Sequence, residues 1–158
     1  MLDVLMYLFE HYMDESAMIR SDHDHTSLKT HLTEAGFSHK EIHKAFGWLD
    51  GLTQHGDRNT RQQTQANNNS IRLYSWQESV HLNRECRGYL HFLEQSGILT
   101  PGTRELAIDR ALALENDDID LDKLKWVILM VLFNQPHQDN HSGWMEDLIF
   151  SEPTTSIH

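Results

Sequence analysis

The sequence predicts an all-α fold of about six to seven helices around one fully apolar central helix. Residues 126–133 contain no polar side chain, so a helix here is apolar on every side and must be buried. Along most of the chain, apolar residues recur at three- and four-residue spacings, the pattern of amphipathic helices. No segment alternates for long enough to predict a β-ladder. A membrane span needs roughly 20 apolar residues, so the central run is too short to be one.

The first third of the chain carries three helical patterns. Residues 1–13 place apolar side chains on one face, and residues 28–34 predict a shorter helix that ends near Gly36. Ser38 and Glu41 have the spacing of a capping box that begins a third helix. The short helix, the turn and the longer helix together have the spacing of a helix-turn-helix, so this part of the chain is helix-turn-helix-like.

A polar segment divides the chain into two helical parts. Residues 55–70 contain a single aliphatic side chain, Ala66, and are rich in Asn and Gln, so their burial would contribute little free energy. We interpret them as a flexible polar linker between an N-terminal helical part, residues 1–54, and a C-terminal helical part, residues 71–150. Residues 151–158 are expected to form a disordered tail.

Start and stop signals place the helices of the second part. Ser75 begins a second capping box and a longer helix, which ends at Gly97 in a Schellman motif. The inward-facing residues of this helix are predicted to be Leu82, Cys86, Tyr89, Leu90 and Leu93. Thr100 precedes a proline at the first position of the next helix, and Asp120 can cap the central helix. A last short helix is expected at residues 144–150.

Composition limits the classes of function. The chain has 24 acidic and 13 basic residues and a net charge of −11, which argues against a general nucleic-acid binder, because phosphate backbones attract basic surfaces. Its single cysteine, Cys86, excludes an intrachain disulfide. No signal-peptide pattern follows Met1, so we expect a cytoplasmic protein. No catalytic or phosphate-loop motif occurs, so we expect no cofactor and favour a non-enzymatic role, although missing motifs do not exclude an enzyme.

Two histidines are the weak candidates for a metal site. His39 and His43 lie one helical turn apart, a spacing that can hold zinc. The sequence between them matches neither metalloprotease pattern, and nothing determines a third ligand. Exposed histidines without a metal are therefore the favoured interpretation, and metal-dependent activity is the third functional hypothesis.

The same helix offers a nucleic-acid hypothesis. Lys40, His43 and Lys44 are predicted to point outward from the second helix of the helix-turn-helix-like part. Basic phosphate anchors normally flank such a helix, but here the flanking residues are rich in Asp and His. Packing of a simple helical hairpin is favoured over nucleic-acid binding.

Several segments resemble the bacterial Smg family. The matching residues are 1–10, 36–37, 48–49, 86–94, 104–105, 110–114 and 124–134. The last of these, Leu-Lys-Trp-Val-Ile-Leu-Met-Val-Leu-Phe-Asn, is the most specific. The resemblance implies a small cytoplasmic bacterial protein and, through gene neighbourhood, an association with nucleic-acid metabolism. It transfers no catalytic or ligand residue to this chain.

The leading functional hypothesis is a non-enzymatic interaction or regulatory protein that docks on a protein partner. It rests on the missing catalytic motifs, the acidic charge and the charged residues within the most family-like helices. These candidate partner-binding residues are Arg84, Arg87, Arg104, Glu105 and Lys125. Intramolecular ion pairs are the alternative role for them. The partner and the oligomeric state stay open.

Overall fold

The computed structural model describes residues 1–12, 24–62, 71–114 and 119–134, and throughout these ranges the fold is all-α, as predicted. The helices are α1 (Leu2–Tyr12), α2 (Asp24–Glu34), α3 (His39–Gln62), α4 (Trp76–His81), α5 (Arg84–Gln95), α6 (Pro101–Leu112) and α7 (Leu121–Phe133). Within these ranges the β-type pairing consists of one isolated parallel bridge between Leu82 and Ile119. The helix expected at residues 144–150 and the tail 151–158 lie outside the described residues.

The chain divides into two compact units, Met1–Gly51 and Leu52–His158, with the boundary inside α3. In the first unit, apolar residues at helical spacing are buried on each of the three helices. They are Val4, Leu5 and Leu8 on α1, Leu28 and Leu32 on α2, and Ile42, Ala45, Phe46 and Trp48 on α3. The periodicity that predicts these helices therefore identifies their buried faces.

The turn between α2 and α3 is built by local chemistry. Gly36 has a φ of 98°, and the amides of Gly36 and Phe37 donate to the carbonyls of Thr33 and Leu32. These two bonds form a Schellman motif, whose left-handed position favours glycine. At the start of α3, the amide of Glu41 donates to Ser38 Oγ over 3.3 Å and the amide of Ser38 donates to Glu41 Oε2 over 3.2 Å. The predicted capping box is thus present.

The predicted linker overlaps α3. Its first eight residues, 55–62, belong to the helix, whereas residues 63–70 lie outside the described residues. The polar composition of this segment was a poor guide to its backbone conformation over residues 55–62. A helix that tertiary packing has already nucleated extends at low cost, because each added residue completes one more hydrogen bond. The assignment of domain parts stays a prediction.

In the second unit, α5, α6 and α7 pack against one another. The central helix, α7, begins at the predicted cap, where Asp120 Oδ1 accepts a hydrogen bond from the amide of Lys123 over 2.8 Å. Its buried residues are Leu124, Lys125, Val127, Ile128, Leu129, Met130, Val131 and Leu132. Burial extends around most of the helix, as the apolar run predicts, and Trp126 and Phe133 retain solvent exposure.

The single long helix predicted after Ser75 is wrong, because the chain forms two helices, α4 and α5, that are separated at Leu82 and Asn83. The side chain of Asn83 accepts a hydrogen bond from the amide of Cys86 over 2.8 Å and so begins a new helix. Leu82 takes an extended conformation and pairs with Ile119. A capping side chain and a long-range bridge therefore interrupt an apolar pattern that is continuous in the sequence.

The predicted ends of the next helices are present. Gly97 has a φ of 75°, and the amides of Gly97 and Ile98 donate to the carbonyls of Glu94 and Leu93, which completes a Schellman motif after α5. At the start of α6, Thr100 Oγ1 accepts a hydrogen bond from the amide of Thr103 over 3.2 Å. Local sequence signals thus predicted the end of α5 and the start of α6 correctly.

Two glycine-to-alanine substitutions test this backbone geometry. Gly97→Ala should lower the free energy of unfolding by about 1–2 kcal/mol, because an L-residue is strained in the left-handed region. Gly88→Ala should raise it by about 0.5–1 kcal/mol, because alanine replaces glycine inside a helix. Neither new methyl group would meet an atom within 4 Å, so contacts do not confound the comparison. Urea unfolding followed by circular dichroism measures both, and equal shifts in one direction would contradict the left-handed assignment.

Candidate partner-binding surface

Four large apolar side chains within ten consecutive residues are exposed to solvent. They are Ile71, Leu73, Trp76 and Val80, which are 89%, 87%, 81% and 55% exposed, respectively. Ile71 and Leu73 precede α4, and Trp76 and Val80 lie one turn apart on α4, so the latter two share a helix face. We call these four residues the apolar segment.

The residues that alternate with them have the opposite environment. Arg72 and Tyr74 are half-buried, and the Arg72 guanidinium carbon lies 4.5 Å from the centroid of the Tyr74 ring. In a two-residue repeat, a shift of one position would exchange the two sets of side chains. The chain therefore half-buries an arginine and a tyrosine while it exposes an isoleucine and a leucine.

The Arg72 guanidinium is held by two carboxylates from different helices. Its Nε and Nη2 donate to Glu105 on α6 over 2.6 and 2.9 Å. Its Nη1 and Nη2 donate to Glu78 on α4 over 3.1 and 2.7 Å. These forked contacts exploit the planar donor geometry of arginine and determine which side chains of the segment point inward.

A second arginine extends this arrangement to α5. Arg104 Nη1 donates to both oxygens of Glu94 over 2.6 and 2.7 Å, and its Nη2 donates to Glu105 over 2.8 Å. Glu105 is thus shared by Arg72 and Arg104. The resulting ion-pair network, Arg72, Glu78, Glu94, Arg104 and Glu105, connects the apolar segment to α4, α5 and α6.

The pKa values within the network follow from these contacts. The hydrogen bonds with Glu105 and Glu78 raise the pKa of Arg72. The hydrogen bond from Arg72 is the largest of several contributions that together lower the pKa of Glu78 from 4.5 to about 2. Burial acts to raise the pKa of Glu105, but the hydrogen bonds from Arg72 and Arg104 outweigh it, so that pKa lies below its usual value. All three groups are therefore charged at neutral pH.

The five residues expected at a partner interface have different environments. Arg104 and Glu105 belong to the ion-pair network, so a charge reversal at Arg104 would place three carboxylates together. Arg84, at the start of α5, is exposed. Arg87 is half-buried, where its Nη1 donates to Ser79 Oγ over 3.4 Å and its guanidinium lies 5.7 Å from the Tyr74 ring. Hence Arg87 also contacts the segment that carries the exposed apolar residues.

Lys125 is placed apart from this network. It is 7% exposed on α7, and its Nζ lies 5.8 Å from the centroid of the Tyr89 ring. Within the described ranges, the Tyr89 hydroxyl and Arg87 Nε are buried without a hydrogen-bond partner. Burial raises the pKa of Tyr89, so this phenol is neutral at physiological pH. A lysine so enclosed is poorly placed to meet a partner directly.

The residues proposed for nucleic-acid or metal binding lie in the first turns of α3. Lys40, His43 and Lys44 are exposed, as is His39. Between them Glu41 is acidic, and its Oε1 lies 3.8 Å from the amino terminus. In the part of the chain that the structure covers, no three His, Cys, Asp or Glu side chains are grouped so that they could hold a metal ion. No helix described here is long and apolar enough to cross a membrane.

The single cysteine lies in the core of the second unit. Cys86 is completely buried on α5, and its Sγ donates to the carbonyl of Ile119 over 3.4 Å. Burial is the main cause that raises its pKa to about 11. Because the reactive form of cysteine is the thiolate, this position is unsuited to nucleophilic chemistry.

The chain as a whole matches the family described as "Protein of unknown function (DUF494)" over residues 1–158. It is 52% identical over 157 residues to a protein of Nitrosococcus oceani named "Protein Smg homolog", covering 99% of this chain and 97% of that protein. The chain belongs to the Smg family. A member of the same name from Alkalilimnicola ehrlichii is 50% identical over 156 residues, covering 99% and 96%. Another, from Xanthomonas oryzae pv. oryzae, is 48% identical over 157 residues, covering 99% and 97%. No solved structure matches.

Sequence reasoning missed the apolar segment and Arg72. The alternation of residues 71–74 predicted an extended segment but not which side chains face solvent. For this member of the Smg family, the useful signal would have been an arginine and a tyrosine at alternate positions, both able to form directed contacts.

The ion-pair network predicts how the stability of the folded protein changes at acidic pH. Because the pKa of Glu78 is lower in the folded protein than its ordinary value of 4.5, its stabilising contribution is complete above about pH 4.5 and is lost as the pH falls towards 2. We expect Glu78→Gln to lower the free energy of unfolding at neutral pH by about 1–3 kcal/mol, since hydrogen bonds to charged groups are lost. We also expect it to reduce the fall in stability between these pH values. Urea unfolding at a series of pH values measures both effects.

Glu85→Gln is the matched control, because Glu85 is an exposed carboxylate in the first turn of α5. Its acid dependence should follow that of the unmodified protein. If the two variants behave alike, the ion-pair network does not determine acid stability.

Proposed function

We propose that this protein is a non-enzymatic interaction or regulatory protein that docks on a protein partner through the apolar segment. The observation that carries the proposal is the exposure of Ile71, Leu73, Trp76 and Val80 beside a half-buried, fully paired Arg72. Isolated exposed apolar residues are ordinary, but a concentration of large ones marks an interaction site. Tryptophan is also enriched among residues that dominate binding energy.

The alternative arrangement would bury these side chains in their own unit. Full burial of an Ile or Leu side chain contributes about 1.5–3 kcal/mol to the free energy of folding. The folded protein lacks this stabilisation at the exposed positions. The ion-pair network prevents this arrangement, because a one-residue shift would remove Arg72 from both carboxylates. In a complex, the same apolar area becomes available for binding.

Charge favours a basic partner. The chain carries a net charge of −11, and complementary charge mainly increases the rate and specificity of association. Within the network, the side chains of Arg72 and Arg104 are 16% and 11% exposed, whereas that of Glu105 is 47% exposed. The charge that the ion-pair network exposes to a partner is therefore mostly negative.

This proposal assigns different roles to the residues expected from the sequence. Arg104 and Glu105 position the apolar segment through Arg72, and Arg87 supports Tyr74. Arg84 and Glu105 are the members of the set that are exposed to solvent, and hence to a partner. Lys125 supports the interior of the second unit through Tyr89. Direct contact with the partner falls mainly to residues outside the original set.

A double substitution tests the docking surface. Leu73→Ser with Trp76→Ser should abolish co-purification of a discrete protein partner from native cytosol at low salt. Both side chains are exposed, so stability should change by no more than about 0.5 kcal/mol per site. The pull-down is divided into nuclease-treated and untreated halves, and the recovered proteins are identified by mass spectrometry.

Phe92→Ser is the control, because it removes an exposed aromatic ring, 54% exposed, from α5 outside the apolar segment. The partner should remain with this variant. A partner list that is the same for the double variant and for the unmodified protein would overturn the proposal.

The helix-turn-helix hypothesis has one supporting observation, the shared exposure of Lys40, His43 and Lys44 on α3. If this helix binds nucleic acid, Lys40→Ala with Lys44→Ala should weaken binding and reduce its dependence on salt by about two phosphate contacts. Electrophoretic mobility shifts with DNA and RNA at low salt measure this. Because electrostatic affinity is greatest at low salt, the absence of any shift there would end the hypothesis.

A further inference from the structure

Exposure alternates along residues 71–74, as it does in an extended chain, and Ser75, which follows them, is extended with a φ of −66° and a ψ of 165°. The main chain of this segment is partly unpaired. On one edge of residues 71–75, the carbonyl of Leu73 accepts a hydrogen bond from Arg72 Nη1 over 3.4 Å, and the amide of Ser75 donates to Glu78 over 2.8 Å. Among the described residues, the amides and carbonyls of Arg72 and Tyr74 have no hydrogen-bond partner.

These two sets of groups belong to opposite edges. In an extended chain the main-chain groups of successive residues point to alternate sides, as their side chains alternate between faces. Leu73 and Ser75 therefore present their groups to the side where Glu78 lies, and Arg72 and Tyr74 present theirs to the other. An edge with free amides and carbonyls is a template for another strand.

From this geometry we propose that residues 71–74 bind an extended segment of the partner by strand addition along the edge formed by Arg72 and Tyr74. The inference rests on the proposed docking function and specifies its mode. The bound segment has apolar side chains at alternate positions, which pack beside Ile71 and Leu73, and its flanking residues are Lys or Arg. Main-chain hydrogen bonds supply affinity in this mode, and alternate side chains supply specificity.

Two features of the chain favour an extended basic segment as the bound partner. The first is the ion-pair network, which holds the segment in one register, so its main-chain groups are pre-organised and less entropy is lost on binding. The second is the net charge of −11, which repels a second copy of this chain and attracts a basic segment. Strand addition thus uses the same apolar side chains as docking and adds a requirement for main-chain pairing.

A designed peptide tests the mode without knowledge of the natural partner. The probe is fluorescein-labelled Lys-Lys-Val-Thr-Val-Thr-Val-Lys-Lys, added to the full-length protein. We expect saturable binding by fluorescence anisotropy. We also expect slower hydrogen exchange, by about tenfold or more, at the amides of Arg72 and Tyr74, because an amide paired in a ladder exchanges only when the ladder opens. The amide of Leu73 should change little.

Methylated peptides separate main-chain pairing from side-chain docking. One carries N-methyl groups on the three valine amides, and the other carries them on the two threonine amides. These sets lie on opposite edges of the peptide strand, so one modified peptide should lose binding about tenfold or more, as expected when buried hydrogen bonds are removed. The other should bind like the parent peptide. The double variant Leu73→Ser with Trp76→Ser should bind none of the three peptides.

The outcomes distinguish strand addition from docking in general. Binding without protection of Arg72 and Tyr74, or with equal affinity for all three peptides, overturns strand addition. The absence of saturable binding overturns it as well. The protein alone could also sediment as a dimer in which these two amides are already protected. That result would assign the edge to a second copy of the chain and contradict the binding of a basic partner segment. The pull-down decides the proposed function independently of these results.

Discussion

The paired, half-buried guanidinium of Arg72 is the constraint on which the arrangement of residues 71–80 depends. A buried charge is tolerated only where paired and hydrogen-bonded, and removing one partner of such a pair is strongly destabilising. Glu78 and Glu105 satisfy this arginine from α4 and α6, and Glu105 is in turn held by Arg104 and Glu94. The orientation of a short extended segment is therefore set by three helices. Its apolar side chains are exposed because Arg72 and Tyr74 occupy the inward-facing positions, where Glu78 and Glu105 pair with Arg72.

The starts of α3, α4, α6 and α7 were predictable because their causes are local. Ser38, Ser75, Thr100 and Asp120 each accept a hydrogen bond from an amide three residues ahead, as their spacing predicts. The apolar run of α7 likewise predicts a buried helix, since there is no polar face to expose. Such features need no knowledge of the rest of the fold. They account for most of what the sequence predicts correctly about the helices.

The features that were missed depend on distant residues. Arg72 and Glu105 are 33 positions apart, and no local pattern connects them. The interruption between α4 and α5 depends on Leu82 and Ile119, whose pairing joins two segments across α5 and α6. An alternating sequence such as residues 71–74 is compatible with either face inward. The positions of the two carboxylates determine which face points inward. The candidate site therefore could not be predicted from the sequence alone.

Cys86 has a practical consequence beyond its place in the core. It is the chain's only cysteine, it is completely buried, and its thiol bonds the carbonyl of Ile119 at the point where the chain enters α7. A thiol reagent can reach it only when α5 separates from this point, so the labelling rate in native conditions reports that local opening. The protein thus contains an intrinsic, single-site probe of how cooperatively its second unit unfolds, and no engineered label is needed to use it.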